Sequence, residues 1–167
     1  MYLKSFGKVL FVLVAFYLFM VSLAKANVPY IPLKLSLFPP VTFLPNATVN
    51  GIDLGVLSTQ SKEVNGVQIS TIYSYTHGQL NGLQISGISG NNNSFYGWQI
   101  SGILNFTGNS AGLQLSIINT SKNFIGTQLA GAVNQSDNII GLQLSGLMNT
   151  AKNVKVGQLS GIANIAE

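Results

Sequence analysis

A unit of about 15 residues recurs along this chain, and that period constrains the fold more than any other feature. Aligned on Asp53, Gln68, Gln84, Gln99, Gln114, Gln128, Gln143 and Gln158, the copies are spaced by 15, 16, 15, 15, 14, 15 and 15 residues. Two residues before this anchor stands Gly51, Gly66, Gly82, Gly97, Gly112, Gly126 or Gly141, and in the last copy Val156. One residue after it comes Leu54, Ile69, Ile85, Ile100, Leu115, Leu129, Leu144 or Leu159. Four after it comes Leu57, Ile72, Ile88, Ile103, Ile118, Ala132, Leu147 or Ile162.

Side chains alternate between faces along a strand. Two apolar columns three residues apart would therefore point to opposite faces of a straight strand. A bend between them lets both turn inward, and Gly87, Gly102, Gly131, Gly146 and Gly161 stand just before the second column. The expected fold is all-β: a β-solenoid of about eight 15-residue coils, each with a short strand, a corner, a second strand and a polar return. Stacking would align equivalent residues, with the Ile/Leu columns as the core. Asn105, Asn119, Asn134, Asn149 and Asn164 would form an amide ladder along the stack. The alternative is an outer-membrane β-barrel, whose strands also run about ten residues. Scattered aromatics and near-identical copies favour coils, and the β-branched, Gly-rich composition disfavours a helical repeat.

With the Ile/Leu columns inside, two polar columns are expected outside on one strand face. One is Gln68, Gln84, Gln99, Gln114, Gln128, Gln143 and Gln158. The other is Ser70, Ser86, Ser101, Ser116, Ser145 and Ser160, interrupted by Ala130. These form the candidate interaction ladder, a regular amide-and-hydroxyl surface suited to a polysaccharide, a protein or ice.

Residues 1–26 read as a secretory signal. Lys4 and Lys8 give the positive region, Val9–Leu23 the apolar stretch, and Ala24-Lys25-Ala26 the small residues before a cut that leaves Asn27 first. The alternative is an uncleaved anchor, for which the stretch is somewhat short. Residues 27–50 are apolar and Pro-rich, and are expected to cap the N-terminal edge of the repeat domain at 51–167. Without its leader the chain carries Lys34, Lys62, Lys122, Lys152 and Lys155 against Asp53, Glu63, Asp137 and Glu167, a net charge of +1 with no Arg. No electrostatic footprint for nucleic acid is present in that balance.

The chain has no cysteine, hence no disulfide and no thiolate chemistry. His77 is the one histidine, in an expected turn, and the four acids are widely spaced. No acid pair, triad or phosphate loop can be assembled from such residues, so no enzyme activity, cofactor or metal is expected. Calcium-binding β-rolls need a periodic Asp where this chain has Gln and Asn. Asp53 replaces Gln in the first copy and reads as structural. Asn46, Asn92, Asn105, Asn119 and Asn134 each begin Asn-x-(Ser/Thr), and the ladder accounts for most of them.

Pro32–Pro40, with units such as Gly141-Leu142-Gln143-Leu144-Ser145-Gly146-Leu147-Met148-Asn149, resembles the spirochaete-type surface-repeat proteins of bacterial envelopes. Their pattern is a signal peptide, a Pro-Leu-x-Leu-Ser-Leu-x-Pro-Pro entry and Gly-Leu-Gln-Leu-Gly-Leu-Val-Asn units. This chain departs in often placing Ser before the corner Gly, and without Cys it is not acylated as some members are. The resemblance implies an exported protein of the surface, periplasm or medium, with no stated activity or ligand. The expected role is structural or interactive, toward an unidentified envelope or surface component, with no membrane span once the signal is cut. The alternative is a polysaccharide or ice binder. Weak self-association, or docking of a partner, is expected through residues 152–167, where Leu159 and Ile162 should be the most exposed of their columns.

Overall fold

The computed structural model describes residues 30–38, 41–42, 44 and 46–167. The expected signal segment, residues 1–26, lies outside them. The repeat unit, residues 31–167, is an all-β solenoid of about nine turns built from parallel strands, and not a barrel. Its strands are β1 (Ile31–Phe38), β2 (Val41–Thr42), β3 (Thr48–Gly55), β4 (Ser58–Ser61), β5 (Glu63–Ser70), β6 (Tyr73–Ser86), β7 (Ser89–Ser101), β8 (Leu104–Ser145), β9 (Met148–Ser160) and β10 (Ala163–Ala166). Among the described strands only β1 with β2 pairs antiparallel.

The register follows the repeat. Asp53 pairs with Gln68, Gln68 with Gln84, Gln84 with Gln99, and Gln99 with Gln114. The expected bends fall at residues 87–88, 102–103, 146–147 and 161–162. β8 runs as strand through the corner of the 14-residue copy, which lacks one corner residue, and also through the bend expected at Gly131.

The corner glycines do not supply unusual backbone angles. The left-handed φ belongs to the other glycine column, as at Gly112 (φ +130). A Cβ on Gly112 would strike the carbonyl oxygen of Gly97 one coil before it, so a side chain here is accommodated only if the backbone shifts. Val156 takes the same place with φ 113, a strained angle for a β-branched residue. His77 lies inside β6 and not in a turn, beside a register slip between Thr76 and Gln79.

The inside–outside assignment is the reverse of the expected one. The inward columns are the Gln anchors, the Ser column, and the Asn and Ser/Thr positions of the second strand; Ile69, Leu115, Ile72, Ile88, Ile103 and Leu147 are exposed. Among the described residues one inward column alone is apolar: Val49, Val64, Leu80, Phe95, Phe124 and Ile139, each four residues before its anchor. Ser110 interrupts it, and the rings of Phe95 and Phe124 stack across that gap at 6.5 Å. The reversal rests on the Gln and Asn columns, which bond from coil to coil; the small hydroxyls of Ser36, Ser86, Ser101, Ser110, Ser145 and Ser160 are enclosed without a partner. A buried amide is expensive only when unpaired.

The entry segment is itself a turn of the solenoid. Leu33, Lys34, Leu35 and Ser36 pair in register with Ile52, Asp53, Leu54 and Gly55. Lys34 thus stands in the anchor column, where Gln stands in later coils.

Candidate interaction face

The interior sets the geometry of the surface. Each anchor Gln donates from Nε2 to the Oε1 of the preceding one: Gln99 to Gln84 at 2.9 Å, Gln114 to Gln99 at 2.8 Å, Gln128 to Gln114 at 2.6 Å, Gln143 to Gln128 at 2.8 Å and Gln158 to Gln143 at 2.6 Å. All these donors point toward the N-terminal end. A neutral amide there would have a donor left over, whereas a carboxylate only accepts. Asp53 closes the ladder, accepting from Gln68 Nε2 at 3.0 Å, Thr59 at 2.5 Å and Ser61 at 2.6 Å. Lys34 balances its charge, with Nζ 3.7 Å from the carboxylate and 2.7 Å from Ser61 Oγ, and donating also to the Gln60 carbonyl. Both side chains are enclosed, Lys34 at 1% exposure and Asp53 at 0%. Burial pushes Lys34 below the ordinary lysine range, and the Asp53 carboxylate pulls it back.

The Asn ladder runs the opposite way. Asn105 Nδ2 donates to Asn119 at 3.0 Å, Asn119 to Asn134, Asn134 to Asn149 and Asn149 to Asn164, each of these three at 2.9 Å. Asn92, Asn105, Asn119 and Asn134 are buried, and Asn46 is exposed.

The predicted interaction ladder is therefore brought together, but inside. Gln68, Gln84, Gln99, Gln114, Gln128 and Gln143 are fully enclosed, and Gln158 is part-buried. Ser70, Ser86, Ser101 and Ser116 are buried, with Ser145 and Ser160 intermediate. No amide-and-hydroxyl surface is presented by these columns. The reason is bonding: enclosed amides pair coil to coil, and the small Ser fits beside the corner.

What faces out on the same strand is apolar. Ile52, Val67, Leu83, Trp98, Leu113 and Leu142 precede the anchors, with Thr127 and Gly157 in the other two copies, and Leu54 through Leu159 follow them. With the corner column ending at Ile162, these positions contain no charged residue in any copy. Trp98 is 60% exposed, and Leu159 and Ile162 exceed their column neighbours. A shallow groove of about 520 Å³ opens among Leu115, Leu129, Gly131, Leu144 and Leu159. The charges sit elsewhere on the coil, at Lys62, Glu63, Lys122, Asp137, Lys152 and Lys155. There Asp137 and Lys152 pair at 3.0 Å, and exposed asparagines bond along the stack, Asn138 to Asn123 and Asn153 to Asn138.

Sequence reasoning missed this face because it assumed apolar means inside. The available signal was the absence of charge beside an amide column that could bond to itself. His77 packs edge-on to Tyr75 at 4.4 Å, with Nδ1 3.3 Å from the Ser61 carbonyl. Among the described residues no three His, Cys, Asp or Glu side chains gather as metal ligands, and no helix is long and apolar enough to cross a membrane. Compared with family models, curated proteins and solved structures, the chain matches none.

Proposed function

We propose that the chain is an exported bacterial surface or envelope repeat protein of the surface-repeat type it resembles, with a structural or interaction role through an extended solenoid face. The observation that carries this reading is the charge-free apolar strip beside a polar, charge-bearing edge. Parallel sheets are ordinarily covered on both faces, and exposed apolar patches of this extent mark contact sites. The contact lies on the Ile/Leu columns and not on the enclosed Gln and Ser columns. The leader motif and the envelope-type repeat support export.

The test uses the lack of native cysteine. Single cysteines at Leu83, on the outer strip, and at Asn138, on the polar edge, are coupled to a short photo-crosslinker in cells that make the protein. Recovery in the envelope fraction, with capture from position 83 and little from 138, is expected. Cytosolic recovery, or equal capture from both positions, would refute the reading.

A further inference from the structure

The apolar strip has the form of half an interface. We infer that its occupant is a second copy of this chain, the two strips packing face to face about a two-fold axis; this rests on the reading that the outer face is a contact surface. Eight coils at about 4.8 Å make the strip about 38 Å long, and five residues at about 3.3 Å make it about 16 Å wide. Pairing two such strips buries about 1,200 Å² in total, the lower limit of a stable specific interface. The strip meets itself without charge conflict because no copy places Lys, Asp or Glu there. Its rows share one spacing, so ridges of one copy fit between rows of the other in an aligned sheet-on-sheet packing. A two-fold contact requires a self-complementary patch, and a strip of near-identical rows supplies one. A lipid surface fits less well: the lysines that would meet its headgroups occupy other columns, one of them, Lys152, paired with Asp137.

Trp98 is the only tryptophan and stands on this strip, so it reports on the contact. Sedimentation of the leaderless protein should show a monomer–dimer equilibrium, with Trp98 emission moving to the blue as the dimer forms. Leu113→Lys with Leu142→Lys should weaken dimerisation by about 100-fold or more and leave the far-ultraviolet dichroism unchanged. A wild-type monomer at high concentration overturns self-pairing, as does a blue shift seen only with phosphatidylglycerol vesicles. Envelope crosslinking from position 83 to other proteins in that event leaves the contact-face reading standing, so the two failures are distinguishable.

Discussion

The inward and outward columns of one strand obey opposite rules. Gln143 is enclosed and polar; its neighbours Leu142 and Leu144 are apolar and face out. Inside, position in a ladder matters, because the mid-ladder amides, such as Gln143, hold two coils together and have partners above and below. Outside, bulk and absence of charge matter, because those side chains bond to nothing. For the amides, burial goes with pairing along the stack; the enclosed hydroxyls of Ser86, Ser101 and Ser110 are unpaired and go with small size instead. The contrast sharpens at the N-terminal end, where the same inward column passes from neutral amides to the Asp53–Lys34 pair.

That end should give the largest response. Lys34→Met leaves Asp53 charged and enclosed, and should cost about 3–5 kcal/mol in urea unfolding. Lys34→Gln with Asp53→Gln, which restores a neutral column, should recover most of that loss. If Lys34→Met is silent, the charge-closed ladder is wrong. In mid-ladder, Gln143→Leu removes bonds to Gln128 and Gln158 and strands their amides, at an expected cost of about 2–3 kcal/mol. A neutral or stabilising result would mean that the interior accepts apolar residues and that the inside–outside contrast is not energetic. Val156→Gly relieves the one strained member of the glycine column and should stabilise by about 1 kcal/mol, read as a higher melting temperature; a lower one would show that Val156 contributes packing worth more than its strain. Smallest of all, Leu142→Asn should change stability by less than about 1 kcal/mol, since that side chain is exposed. A loss equal to that of Gln143→Leu would break the comparison outright.

Much of the architecture could be read from the chain. The anchor column, the bends and the Asn ladder follow from spacing alone, since a fixed period in a β-forming sequence stacks like residues. Asp53 read as structural, and it is. The orientation of the columns did not follow. An odd interval across a bend is compatible with both apolar columns turning in or both turning out, and the choice rested on the usual rule that apolar side chains are enclosed. The entry turn was hidden because Lys34 stands where Gln was sought, 19 residues before Asp53 instead of 15.

The sequence by itself determined the period, the parallel register and the ladders, because these depend only on which residues recur and how far apart. The tertiary structure alone decided which columns are enclosed. That choice balances many hydrogen bonds between coils against the exposure of apolar side chains, and the bonds exist only once neighbouring coils are stacked at strand spacing. The pairing of Lys34 with Asp53 belongs to the same class: two charges far apart in the chain become partners only when the first turn lies upon the second.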